Sequence, residues 1–159
     1  MTKVVVLVAG VPTQAQADAL IAMPERPIVE RRPQRGDGRV VFDCRGGDTL
    51  AVAEAAFDCL AAVGLRPVRV LHDDWVTLGD IADRLGRSRE SMRLWSIGRF
   101  GPGGFPPPVN PGRDVAYFSW FEVSAWLHEK LALQVPGTDP GLVIADLLVR
   151  VKALMASAR

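Results

Sequence analysis

Six arginines, Arg84, Arg87, Arg89, Arg93, Arg99 and Arg113, fall between residues 76 and 113 against Asp80, Asp83 and Glu90, a local excess of three positive charges. A guanidinium is a planar fork of donors that matches phosphate oxygens and the major-groove edge of guanine. Arg89 and Arg93 are four residues apart, so a helix opening at Ser88 carries both on one face, with Glu90 and Ser91 beside them. Such a face offers donors for guanine or phosphate, a hydroxyl for either, and a carboxylate that accepts from cytosine. Arg87 and Ser88 would stand at the helix N-terminus, where backbone N–H groups and the helix dipole favour a phosphate. Arg99 and Arg113 bracket a segment with five glycines and five prolines between residues 98 and 112, from which they would reach the DNA backbone or minor groove. The whole chain conceals this patch. Its 159 residues sum to +1, because residues 1 to 75 carry nine positive and ten negative groups.

Other chemistry is poorly served. His72 and His128 have no nucleophile partner at sequence level, and Gly101-Pro102-Gly103-Gly104 lacks the Lys-Ser/Thr of a phosphate-binding loop, so no enzyme and no cofactor are expected. Cys44 and Cys59 are too few for a disulfide framework or an all-cysteine zinc site. They are expected to be inert thiols in a reducing compartment. His72-Asp73-Asp74 has the composition of a metal site, but three adjacent residues converge poorly on one ion, and the run reads as a polar linker. Core packing is expected for Trp75, Trp95, Trp120 and Trp126, which stand beside other apolar residues.

The elements that must position the arginines follow from caps and breakers. Thr77 is an N-cap with Asp80 three residues on, and Ile81, Ala82 and Leu85 form the buried stripe of a first short helix. Gly86 ends it, Arg87 makes the turn, and Ser88 caps a second helix that turns Met92 and Trp95 inward. That is a helix-turn-helix pattern. The Gly/Pro-rich segment cannot be helical; Val109 on one side and Val115, Tyr117 and Phe118 on the other predict two short strands around Asn110-Pro111-Gly112-Arg113. Ser119 and Glu122 form a capping box for a helix carrying Trp120, Phe121, Val123, Trp126 and Leu127.

The run Leu78-Gly79-Asp80-Ile81-Ala82-Asp83-Arg84-Leu85-Gly86-Arg87-Ser88 closely resembles the opening of the excisionase-like, AlpA-like relatives of the MerR DNA-binding family. In those proteins it is followed by a Phe-Pro-Pro-Pro-Val type loop and a wing-closing helix; here these correspond to Phe105-Pro106-Pro107-Pro108-Val109 and Trp120 to Leu127. The resemblance covers residues 75 to about 131. It implies a winged helix-turn-helix that reads double-stranded DNA.

Residues 1 to 74 follow a different pattern: strand, helix, strand, strand, helix, strand. The predicted strands are Val4 to Val8, Ile28 to Arg32, Val40 to Cys44 and Val68 to Leu71, with a turn at Gly36-Asp37-Gly38. Thr13 and Gln16 cap a helix carrying Ala17, Leu20 and Ile21, and a second helix, Leu50 to Val63, ends in a left-handed cap at Gly64 with Leu65 packed beneath. The order suggests a ferredoxin-like split βαβ unit, expected to serve regulation or dimerisation. Its third strand, Val40-Val41-Phe42-Asp43, lacks the paired aromatics of an RNA-stacking sheet. The opening apolar run is too short for a membrane span, and with the single Lys3 and no cleavage site it makes a poor signal peptide. Asp139 and Pro140 open a last helix to about Ala156, apolar on one side through Leu142, Val143, Leu147, Val151 and Leu154.

The expectation is thus an α+β chain with a ferredoxin-like βαββαβ domain at 1–74, a winged helix-turn-helix domain at 75–133 and a C-terminal amphipathic helix at 139–157. The function expected is transcriptional regulation or excisionase-like DNA binding, in the cytoplasm at the nucleoid. A homodimer is expected because so modest a basic surface holds DNA weakly in single copy, and the first domain is the place for a small-molecule or protein effector. The alternative is a protein-interaction adaptor that keeps the helix-turn-helix fold without specific DNA binding and uses its arginine face and its terminal helix for an acidic protein partner.

Overall fold

The computed structural model describes residues 2–159, an α+β chain that divides into two compact units: residues 2–72 with 139–159, and residues 73–138. The second unit is therefore an insertion in the first. Six α-helices occur among the described residues.

In the first unit β1 (Thr2–Ala9) sends Val4, Val6 and Val8 to one face, all fully buried. It is followed by α1 (Gln14–Ile21), β2 (Ile28–Arg32), β3 (Asp37–Cys44), α2 (Thr49–Ala62) and β4 (Pro67–Val70). The strands form one antiparallel sheet in the order β2-β3-β1-β4. Its register sets Val4 opposite Phe42 and Val6 opposite Val40, so the period-2 alternation of both central strands meets on one face. Against that face pack Leu20 of α1 and Ala53, Ala56 and Leu60 of α2. The Thr13–Gln16 capping box forms, and α2 ends as expected: Gly64 is left-handed at φ 78°, and the Leu65 N–H reaches the Leu60 carbonyl at 2.9 Å.

The turn between β2 and β3 comes earlier than Gly36-Asp37-Gly38 suggests. A single 3-10 turn, Pro33–Arg35, ends at left-handed Gly36, and Asp37 is already in β3, held by two bonds from Arg32 at 2.7 and 2.8 Å. Gly38 is a strand residue. A Cβ there would collide with the Pro12 ring, so its glycine serves close approach and not the turn.

The last helix, α6 (Pro140–Ser157), belongs to this unit. Asp139 caps it, accepting from the Gly141 N–H and the Thr49 hydroxyl. Buried Asp146 accepts from the Val70 N–H at 2.8 Å, and its other oxygen lies 3.4 Å from His72 Nε2. The helix thereby satisfies an edge-strand donor that would otherwise be left unpaired. The residues this helix buries are Ala145, Asp146 and Val149, while Leu147, Val151 and Leu154 of the apolar stripe are exposed. The helix is apolar nearly all round, so spacing alone does not choose the inner face; the small side chain of Ala145 and the Asp146 bond do.

In the second unit β5 (Trp75–Val76) pairs antiparallel with β6 (Phe118–Ser119). Between them lie α3 (Leu78–Leu85), α4 (Arg89–Ser96) and a long loop, and after β6 comes α5 (Trp120–Leu131). The core joins Val76, Ile81, Met92, Trp95, Phe118, Trp120, Val123, Trp126 and Leu127. Trp75 is not part of it: it is 53% exposed, tilted against Tyr117 at 6.3 Å between ring centroids. The strands expected around Asn110 are replaced by a side-chain clasp. Val109 donates one backbone bond to Tyr117, and Asn110 bridges the rest, donating to the Val115 carbonyl and accepting from the Tyr117 N–H, each at 2.8 Å. Pro106, Pro107, Pro108 and Pro111 have no N–H to give a ladder.

No helix among the described residues is long and apolar enough to cross a membrane.

Candidate nucleic-acid interface

The local structure of α3 and α4 follows from their ends. The Thr77 hydroxyl accepts from the Asp80 N–H at 3.1 Å and the Asp80 carboxylate accepts from the Thr77 N–H at 2.9 Å. Those bonds hold the Asp80 carboxyl below its usual range. At the other end Gly86 is left-handed at φ 64°, and the Arg87 N–H bonds to the Ala82 carbonyl at 2.9 Å. Only a residue without Cβ takes this conformation cheaply, and it turns the chain at once into α4. Ser88 Oγ then accepts from the Ser91 N–H at 3.1 Å and lies 2.8 Å from Ser91 Oγ.

Once Met92 and Trp95 are buried, the remaining face of α4 is determined. Arg89, Glu90 and Arg93 are exposed on it, and Ser91 is half-buried. Glu90 and Arg93 are tied by two bonds, Nε to Oε2 at 2.9 Å and Nη2 to Oε1 at 2.6 Å. The pair lowers the Glu90 carboxyl and raises the Arg93 guanidinium from their ordinary values. Glu90 thus fixes the plane of the Arg93 fork and leaves its Nη1 edge available.

The other arginines divide by what they touch. Arg87 lies over the Trp95 ring at 5.0 Å and Arg84 over Trp120 at 4.6 Å, so each guanidinium covers an aromatic of the core as well as facing water. Among the described residues no carboxylate pairs with Arg89, Arg99 or Arg113. Of the six arginines only Arg93 is paired with a carboxylate among the described residues, while Arg84 and Arg87 keep their full charge over an aromatic ring.

The loop is seated by aromatics that spacing does not reveal. Trp126 Nε1 donates to the Gly103 carbonyl at 3.0 Å, and Phe105 stands edge-on to Phe118 and Trp126 at 5.4 and 5.1 Å. Gly101, at φ 85°, lies so close to Trp95 that a Cβ would come within 2.9 Å of the ring. The segment bearing Arg99 is in this way fixed to the residue that also carries Arg87. Ile97 and Phe100, flanking Arg99, are exposed at 50% and 62%. An exposed apolar residue has no signature of its own, so spacing singles out neither.

The linker reading of His72-Asp73-Asp74 is also corrected. His72 contacts Asp146 in the first unit, whereas Asp74 is buried in the second at the start of α5. Asp74 Oδ1 accepts from the Phe121 N–H at 2.8 Å and its carbonyl accepts from the Trp120 N–H at 2.6 Å. Ser119 makes the forward bond expected of it, accepting from the Glu122 N–H at 3.3 Å, but the second acceptor at this helix start is Asp74 and not Glu122. No cluster of three or more His, Cys, Asp or Glu residues capable of holding a metal occurs among the described residues. Cys44 is buried, and burial with Glu25 nearby pushes the half-buried Cys59 thiol up, away from reactivity.

The chain matches no protein-family model, no curated protein and no solved structure.

Proposed function

We propose that the unit of residues 73–138 is a winged helix-turn-helix of the excisionase-like, MerR-like kind, and that it binds double-stranded DNA with α4 in the major groove. The observation that carries this reading is the exposed Arg89, Glu90, Arg93 face of a helix whose opposite face is locked by Met92 and Trp95. A rigid helix start with outward arginines is what base-edge contact requires. In this reading Arg89 and the Nη1 edge of Arg93 contact bases, with Glu90 holding the Arg93 fork in plane. Arg87, Ser88 and Ser91 lie against a phosphate at the helix N-terminus. The Gly/Pro-rich loop is the wing, from which Arg99 and Arg113 reach the backbone. The strand order β2-β3-β1-β4 with helices between supports a ferredoxin-like split βαβ reading of the first unit, in a regulatory role. The protein so read is a transcriptional regulator or excisionase-like factor that works by binding.

The test is fluorescence anisotropy against sequences selected from random DNA. Arg89→Ala and Arg93→Ala are each expected to weaken binding at least tenfold at moderate salt while thermal unfolding is unchanged. Arg99→Ala is expected to lower the slope of log affinity against log salt by about one without altering the selected sequence. Binding that is unaffected by both α4 substitutions overturns the proposal.

A further inference from the structure

The outward face of α6 carries more large exposed apolar side chains than that of any other helix among the described residues. Ile144, Leu147, Val151, Leu154 and Met155 are between 43% and 69% exposed, and the half-buried Val143 and Leu148 flank them. On a helical wheel these residues form a continuous apolar arc with no charged residue inside it, opposite the buried Ala145 and Val149. A helix apolar all round is ordinarily covered on both sides. Here the chain covers one.

The spacing fits a second copy of the same helix. Ile144, Leu147, Val151 and Leu154 repeat at three and four residues, the a and d positions of two heptads. The a positions are β-branched Ile and Val and both d positions are Leu, the combination that favours two parallel strands. In a parallel, in-register pair each layer is made by the same residue from both copies, so the face is complementary to itself. Leu148 and Met155 at e widen the seam beyond the narrow strip of a free coiled coil. The exposed area of the five side chains is roughly 500 Å² per chain, hence about 1,000 Å² for a pair, which reaches the lower bound for a specific interface. Both helices would be anchored, since each α6 is held at Asp139 and Asp146, and a two-heptad pairing so braced pays little ordering entropy.

We propose that this face is a homodimer interface, α6 pairing in parallel with α6 of a second copy of this chain. Sedimentation equilibrium of the full chain tests it. The wild type is expected at twice the 17.2 kDa of one chain, and Leu147→Glu/Leu154→Glu at the single mass with an unchanged circular dichroism spectrum. A second arm uses a Cys59→Ser background. Val151→Cys is expected to oxidise to a covalent dimer, whereas Lys152→Cys, one position round the helix, is not. A monomeric wild type, a dimer indifferent to the double substitution, or equal cross-linking at 151 and 152 overturns the inference. So does a wild type found only in complex with a different protein seated on α6. None of these results bears on DNA binding by α4, which is read separately by anisotropy.

Discussion

Helices α4 and α6 each bury one face and expose the other, and they expose opposite chemistry. The outer face of α4 carries Arg89, Glu90 and Arg93, where water or a polyanion is the natural neighbour; that of α6 carries Ile144, Leu147, Val151, Leu154 and Met155, where neither is. Their inner faces differ as well. α4 is held by bulky Met92 and Trp95 against an aromatic core, whereas α6 is held by Ala145 and Val149 together with one buried carboxylate, Asp146, on the edge of a sheet. Apolar contact is non-directional, and in α4 the bulky apolar residues lie on one side only, so their burial suffices to fix the inner face. A hydrogen-bonded carboxylate is directional, and it can select one rotation of a helix that is apolar on every side.

The largest effect that would sharpen this contrast belongs to Asp146. Asp146→Ala leaves the Val70 N–H buried without an acceptor and should cost the first unit about 2–3 kcal/mol. All four tryptophans lie in the second unit, so the expected urea curves separate: the transition followed by far-ultraviolet circular dichroism moves down while tryptophan fluorescence holds its midpoint. If both probes shift together, the units are not energetically distinct.

A smaller effect is expected in the second unit. Gly101→Ala forces a Cβ against the Trp95 ring at a left-handed position and should cost roughly 1–2 kcal/mol, read as a lower midpoint in the tryptophan fluorescence transition alone. An unchanged midpoint would mean that the loop is not seated on Trp95.

The smallest concerns pH. The carboxyl of Asp80 is held below its ordinary value by the Thr77 N–H, so its contribution is complete above the unfolded pKa near 4 and is lost as the pH falls through the lowered folded value. Being exposed, it is worth a few tenths of a kcal/mol after solvent screening. Asp80→Asn should therefore flatten the acid limb of the thermal midpoint of the second unit between pH 5 and about pH 2 by a degree or so, and leave neutral pH nearly untouched. A variant that falls as steeply as the wild type places acid sensitivity in another carboxylate.

Local rules went furthest where a helix is specified by its own ends. Thr13 with Gln16, Thr77 with Asp80, Gly86, Ser88, and Gly64 with Leu65 each act over at most five residues, and each could be read before any tertiary contact was known. The candidate interface was legible for the same reason: once the caps of α3 and α4 and the buried pair Met92 and Trp95 are located, the remaining face of α4 follows from helix geometry. What that reading could not supply is which of its arginines are engaged elsewhere. Arg84 and Arg87 lie over Trp120 and Trp95, and Arg93 is bound to Glu90, so three of the six guanidinium groups are held in place by a neighbour while keeping their charge.

Amino-acid order by itself determined the alternation of β1, the paired caps, the helix breaks and the arginine face, because all depend on neighbours a few residues away. Only the tertiary structure decided that Asp146 meets Val70 across 76 residues, that Asp74 rather than Glu122 completes the start of α5, that Trp75 lies outside the core, and which side of α6 turns inward. In each of these cases several residues satisfy the local pattern equally well, and a hydrogen bond or a packing contact made far along the chain breaks the tie.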